Sequence, residues 1–189
     1  LRYSKGVFLR VNIEKSEMFT AVLESTINKK IYHPITGLTN DSRQIQKGDL
    51  YIAMNGQYNN GHKFLDDVNE KGASAAIVQK LNNGIELQQL QVQNTMETLK
   101  ELATKWRKNF DIPIIAITGS NGKTSSKDLL LHILSKDLKV HATKGNFNTA
   151  VGLCFTIFEL QSYHDLAIFE LGASMPGEIK NLCEIASPT

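Results

Sequence analysis

The chain is 189 residues long, 41% hydrophobic and 21% charged, with 13 Gly and only 4 Pro, proportions that exclude disorder over most of its length. A formal net charge of +2 sets up no field that would imply a nucleic-acid partner. No apolar run approaches the roughly 18 residues of a membrane span, and residues 1–11 are interrupted by Arg2, Lys5 and Arg10 where a signal peptide needs an unbroken apolar core.

After a polar opening of partly helical character, residues 35–39 lead into a polar turn, Asp41-Ser42-Arg43. Residues 50–54 read as a buried strand ending at Asn55-Gly56. Between His62 and Lys71 the spacing predicts a helix with Phe64, Leu65 and Val68 on one side and Gly72 at its C-terminal cap. Residues 75–78 form a short strand, and Leu90-Gln91-Val92 is a candidate for another. Met96, Leu99, Leu102, Ala103, Trp106 and Phe110 then recur at three- and four-residue steps, one apolar stripe along a helix.

The character changes at residue 112. Ile112-Pro113-Ile114-Ile115-Ala116-Ile117-Thr118 is the pattern of a strand buried on both faces of a parallel sheet. A glycine loop follows, then a helix over about residues 124–134, a short strand around Val140 and a helix over about residues 152–160. A second apolar strand, Leu166-Ala167-Ile168-Phe169, precedes a last helix beginning near Pro176-Gly177. Such alternation makes a doubly wound sheet. The expected architecture is therefore α/β throughout, with a small α/β substrate domain at residues 1–108. Residues 109–189 are expected to be a truncated P-loop domain built on a doubly wound parallel sheet. The chain opens without Met and stops at Ser187-Pro188-Thr189 just past the last helix, as a piece of a longer protein would. Cys154 and Cys183 have neither zinc spacing nor disulfide density and read as buried free thiols of a cytoplasmic protein.

The stretch Thr118-Gly119-Ser120-Asn121-Gly122-Lys123-Thr124 lies between the buried strand and a helix. Backbone N–H groups of such a turn converge on phosphate oxygens, with the partial positive charge of the helix N-terminus behind them. Lys123 can then reach the β- and γ-phosphates of ATP, and the Thr124 hydroxyl can ligate Mg²⁺. The general Walker pattern has a further glycine five positions before Gly122, where this chain has Ile117. Glu170 ends the strand that begins at Leu166, on the same rim of a parallel sheet as the loop. It can be a second Mg²⁺ ligand, or simply a solvated strand-end carboxylate.

The loop from Gly119 to Ser125, lacking the first Walker glycine, resembles the ATP loop of the Mur ligases, the amide-forming enzymes of peptidoglycan assembly. Lys144-Gly145-Asn146-Phe147-Asn148 with Gly152, and Glu170-Leu171-Gly172-Ala173 with Pro176-Gly177-Glu178-Ile179, resemble the branch that adds D-alanyl-D-alanine to UDP-N-acetylmuramoyl-tripeptide. In the first half, Asp41-Ser42-Arg43, Lys47-Gly48-Asp49-Leu50 and Asn60-Gly61-His62 resemble that family's uridine-diphosphate-binding domain. Three positions depart from the family's frequent residues: Ser125-Ser126 for Thr-Thr, Asn60 for Asp and Met175 for His.

The resemblance implies a monomeric cytoplasmic ligase that uses ATP and Mg²⁺ and passes through an acyl phosphate. Lys123 and Glu170 would be catalytic. Gly119, Ser120, Asn121, Gly122, Lys123, Thr124 and Ser125 would hold the nucleotide, and Thr124 and Glu170 the metal. Ser42, Gln57, Tyr58 and Asn59 would contact the UDP-sugar, with Arg43 of the same substrate site bracing that loop or a phosphate, and Asn146, Asn148 and Thr149 would lie between ATP and the peptide. Residue types alone make the Ser42–Arg43 segment an Asx-type turn with an exposed arginine. Family enzymes continue well past Thr189 into a dipeptide-binding domain, so this chain alone is expected to be inactive. A different Mur ligase, or a non-catalytic module binding nucleotide and UDP-sugar, is the alternative reading. The third residue of the peptide, diaminopimelate or lysine, is left open.

Overall fold

The computed structural model describes residues 9–56 and 60–189, which fall into two compact units divided after Leu102. The first contains β1 (Arg10–Asn12), α1 (Ser16–Ile27), β2 (Gly37–Thr39), β3 (Asp49–Ile52), α2 (Leu65–Glu70), β4 (Ala75–Val78) and β5 (Gln88–Gln91). The chain crosses the division within α3 (Thr95–Arg107). The strands form one sheet in the order β1-β2-β3-β4-β5, with β1 antiparallel to β2 and every other pair parallel.

Alternate residues of a strand face opposite sides. Tyr51, Ala53, Ala76 and Val78 therefore share one side, packed with Ile45, Leu65, Val68 and Leu87. Leu50, Ile52, Ala75 and Ile77 point the other way and are also fully buried. An ion pair fastens the antiparallel edge: the Arg10 guanidinium donates to both carboxylate oxygens of the buried Asp49, at 2.8 and 2.9 Å.

The second unit contains β6 (Ile114–Ile117), α4 (Lys123–Leu134), β7 (Val140–Ala142), α5 (Ala150–Phe158), β8 (Leu166–Glu170) and α6 (Glu178–Ala186). Its sheet runs β6-β8-β7, all parallel. The chain steps from β6 past the centre to β7, then back to β8. Right-handed crossovers in opposite directions put α4 and α5 on opposite faces, which is double winding. Arg107, 7% exposed, ties the start and end of this unit together. It donates to the carbonyls of Phe110, Ile112 and Ala186.

In the three-stranded sheet of residues 109–189, β8 takes the centre and is buried throughout, while β6 beside it has Ile114 buried and Ile115, Ala116 and Ile117 half-buried. Two expectations need correction. The helix expected from His62 opens instead as a 3-10 turn, Gly61–Phe64, before α2. Three residues per turn rotate Phe64 off the apolar side, and it is 43% exposed while Leu65 and Val68 are buried. Neither Cys154 nor Cys183 is in a disulfide, but only Cys154 is buried; Cys183 is half-buried. At the N-terminal end, the polar opening holds β1 and the full helix α1, whose Phe19 and Leu23 are fully buried one turn apart.

A buried histidine gives this second unit a pH dependence. His141 of β7 donates from Nε2 to the Thr156 carbonyl at 2.7 Å, stacks on His164 with ring centroids 5.0 Å apart, and is 7% exposed. Burial pushes its pKa down to about 4. The unfolded chain takes up a proton near pH 6.5 and the folded one does not, so His141 costs no stability above that pH. Between about pH 6.5 and 4 the loss grows to roughly 3 kcal/mol. Urea midpoints measured from pH 7 to 4 should therefore fall less steeply in His141→Gln than in the wild type. Equal slopes would overturn this assignment.

Candidate functional site

The loop between β6 and α4 turns on Gly122, the N-cap of α4, whose φ of 76° lies in the left-handed region that an L side chain resists. Ser120, Asn121 and Ser125 are exposed beside it. Lys123 Nζ donates to the Gly119 carbonyl at 2.7 Å, which folds the ammonium over the loop. Thr124 Oγ1 donates to Glu170 Oε2 at 2.8 Å.

Glu170 is 1% exposed and pairs in register with Ile117 of β6, so the strand end and the loop start side by side. Its second oxygen, Oε1, accepts from Asn148 Nδ2 at 2.8 Å. Asn148 is held in turn by its main chain, because its carbonyl accepts from Gly172 N–H at 2.9 Å. A Cβ on Gly172 would lie 2.8 Å from the Asn148 side chain, so only glycine lets the loop before α5 approach the end of β8 this closely. Thr149 is the N-cap of α5, its hydroxyl accepting from Gly152 N–H at 3.4 Å, and Asn146 is exposed. Beyond Gly172, Glu178 Oε2 accepts the N–H groups of Ser174 and Met175 at 2.6 and 3.0 Å. Those bonds, Ser174's first, hold the Glu178 carboxyl below the usual carboxylate range.

Among the described residues no group of three or more His, Cys, Asp or Glu could hold a metal. The oxygen pair at the loop suits a different kind of site. Thr124 Oγ1 and Glu170 Oε2 are hard donors 2.8 Å apart, close to the about 2.9 Å between neighbouring ligands of an octahedral Mg²⁺ with bonds of about 2.0–2.1 Å. Mg²⁺ typically takes one or two protein ligands, with phosphates and waters completing its shell. The donor set fits.

In the first unit Ser42 is buried and its carbonyl accepts from Lys71 Nζ at 2.8 Å. Arg43 is committed to Asp41, donating from Nε and Nη2 to the two carboxylate oxygens, each at 2.8 Å. The guanidinium holds the Asp41 carboxyl below its ordinary value. Gln57, Tyr58 and Asn59 lie outside the described residues. Flanking them, Asn55 and Asn60 form an antiparallel bridge. His62 Nε2 accepts the Gln79 N–H at 2.8 Å, so Nδ1 carries the proton and donates to Asn60 Oδ1 at 2.9 Å. Burial lowers the His62 pKa, in keeping with this neutral fastening role. Asn60 supplies the acceptor that an aspartate would, so its departure from the family's frequent residue leaves this contact intact.

Two residues absent from the motif reading belong to the same neighbourhood, Lys127 and Thr143. Thr143 Oγ1 accepts the Glu170 N–H at 3.0 Å, and Lys127 Nζ donates to the Thr143 carbonyl at 2.9 Å. The one sequence signal for Lys127 was its place three residues after Thr124 and four after Lys123, the same helical face.

Two family models match the chain: the Mur ligase middle domain over residues 117–189, and the catalytic domain of the Mur ligase family over residues 34–107. The chain belongs to the Mur ligase family. Within that family its curated relatives include enzymes named UDP-N-acetylmuramoyl-tripeptide--D-alanyl-D-alanine ligase. The one from Rickettsia prowazekii is 40% identical over 151 residues, covering 78% of this chain and 33% of the relative. The one from Synechocystis sp. is 36% identical over 157 residues, covering 82% and 35%. Among solved structures, the UDP-N-acetylmuramoylalanyl-D-glutamyl-2,6-diaminopimelate--D-alanyl-D-alanyl ligase of Acinetobacter baumannii superimposes with a TM-score of 0.84 at 31% identity, covering 89% of this chain and 39% of that one. The MurF ligase of Thermotoga maritima, solved in complex with ADP, gives a TM-score of 0.75 at 32% identity, covering 80% and 35%. The chain thus spans about a third of the length of the curated relatives it matches. Among the described residues no helix is long and apolar enough to cross a membrane.

Proposed function

We propose that the complete protein carrying this chain is a cytoplasmic ATP-dependent ligase that joins D-alanyl-D-alanine to UDP-N-acetylmuramoyl-tripeptide. Residues 1–108 would bind the UDP-sugar peptide, and residues 109–189 would form the first part of the ATP-binding domain. The observation that carries this reading is the Glu170 carboxylate, buried at the end of β8 and held between Thr124 of the phosphate loop and Asn148 of the loop before α5.

Joining a free carboxylate to an amine is uphill in water, and an ATP loop answers that need. An oxygen of the peptide carboxylate takes the γ-phosphoryl group as the bond from phosphorus to ADP breaks. The dipeptide amine then attacks the carbonyl carbon, loses a proton and expels phosphate. Backbone N–H groups of residues 119–122 bind the phosphates, and Lys123 places its cation where charge develops on the transferred group. Thr124 and Glu170 would hold Mg²⁺, which when bound neutralises phosphate charge. Asn148 orients the Glu170 carboxylate by its amide. Ser42 and residues 57–59 would contact the UDP-sugar, while Arg43, spent on Asp41, braces that turn.

The test is phosphate release by the purified complete protein with ATP, UDP-N-acetylmuramoyl-tripeptide and D-alanyl-D-alanine, with product mass read in parallel. Release should require all three and yield the pentapeptide product. Release with a single amino acid in place of the dipeptide would assign another step of the same family. Nucleotide binding without any release would leave a binding module.

A further inference from the structure

Lys127 has 4% of its surface exposed, and it and Arg107 are the buried cations among the described residues. Its ammonium donates to the Thr143 carbonyl at 2.9 Å and pairs with Asp128 Oδ1, also at 2.9 Å. A buried charge is costly to desolvate, and a neutral donor would satisfy one carbonyl at less cost. Its position is what distinguishes it. The N–H, hydroxyl and carbonyl of Thr143 each bond to β8 or to α4. The N–H donates to the Ile168 carbonyl of β8 at 3.0 Å, the hydroxyl accepts the Glu170 N–H at 3.0 Å, and the carbonyl accepts from Lys127.

These bonds close a ring. Glu170 is joined to α4 twice, through its carboxylate to Thr124 and through its main chain, by way of Thr143, to Lys127. Thr124 and Lys127 are three residues apart on the helix, so they present to the same side. With both links made, the carboxylate cannot shift along β8 relative to the Thr124 hydroxyl without breaking a buried hydrogen bond.

We propose that Lys127 is a positioning residue for the metal-binding edge: through Thr143 it locks the main chain of Glu170 to the face of α4 that carries Thr124, fixing the spacing of the two oxygen ligands. The inference rests on the metal role given to Thr124 and Glu170 above. Lys127 itself touches neither nucleotide nor metal in this scheme.

The experiment titrates the complete protein with Mn²⁺ at saturating ADP, reading free Mn²⁺ by electron paramagnetic resonance, and measures ADP affinity separately in EDTA. Lys127→Met should weaken Mn²⁺ binding about tenfold, the scale of losing a group that orients a metal ligand. Metal-free ADP affinity should stay within about twofold, because the phosphate-loop donors are untouched. Thr143→Val, which keeps the carbonyl and volume but removes the hydroxyl, should weaken Mn²⁺ binding similarly. The double variant should lose no more than the larger single effect, since both act through one link. A folded Lys127→Met, or Thr143→Val if the former does not fold, with a lowered melting temperature but wild-type Mn²⁺ affinity would overturn the proposal. Glu170→Gln separates the two levels. If it weakens Mn²⁺ binding while Lys127→Met and Thr143→Val do not, only the positioning role fails. If it too leaves Mn²⁺ affinity unchanged, the metal reading falls with it.

Discussion

Lys123→Ala in the complete protein is expected to lower turnover by roughly 10²–10³-fold, the usual scale for removing one group aimed at developing charge. Mg-ATP affinity should fall much less. The N–H groups of the loop and the start of α4 remain after truncation, and they bind ground-state phosphate regardless of the side chain. Lys123 begins α4 and already reaches the Gly119 carbonyl at 2.7 Å, so its ammonium is confined over the loop rather than trailing in solvent. A charge so placed counts for more as the γ-phosphoryl group transfers than in the bound substrate, which predicts a larger change in kcat than in nucleotide Kd. Calorimetric titration alongside steady-state kinetics checks both. Unchanged Mg-ATP affinity together with unchanged kcat in a folded variant would remove the phosphate-loop assignment.

The order of strands and helices from residue 112 onward was legible because each carries a strong local signal. The apolar run of β6, the glycine loop and the apolar run of β8 are separated by helix-length segments. What the sequence could not show is which strand sits in the middle. β6 and β8 have equally apolar patterns, yet among the three strands present it is β8 that pairs on both sides, between β6 and β7. Sheet order is set by how the crossovers run, and that is not a local property of a strand.

The site divides along similar lines. Thr124 and Glu170 could be named from the pattern alone, since a residue after the loop and a residue ending another strand of the parallel sheet fall on one rim. The structure puts them 2.8 Å apart and joins Asn148, expected between ATP and the peptide, to the same carboxylate, an approach that depends on Gly172 being bare. Thr143 and Lys127 carry no such signature. Their places follow from buried hydrogen bonds between segments far apart in sequence, and a threonine after a short strand looks like any turn residue. At Arg43 turn chemistry alone was informative: an Asx-type turn with an exposed arginine is expected there, and the guanidinium, 72% exposed, pairs by two bonds with Asp41.

Glu170→Gln is expected to have the largest effect of any single change in the site. Glutamine keeps the size of the side chain, and its carbonyl can still accept from Asn148 Nδ2, so the loop before α5 should stay in place. The amide has no negative charge, however, and its nitrogen cannot ligate Mg²⁺ as a carboxylate oxygen does. Turnover should therefore drop by at least about 10²–10³-fold, with part of the loss recovered as Mg²⁺ is raised. The fold and the binding of UDP-N-acetylmuramoyl-tripeptide should be retained. Burial makes the alternative explanation weak: an exposed strand-end glutamate could be neutralised with almost no consequence, but this one is 1% exposed and accepts two side-chain hydrogen bonds. Phosphate release measured across a Mg²⁺ series separates the outcomes. A parallel downward shift at every Mg²⁺ concentration would place Glu170 in organising the loops alone, and unchanged turnover would leave Thr124 as the one protein ligand the site retains.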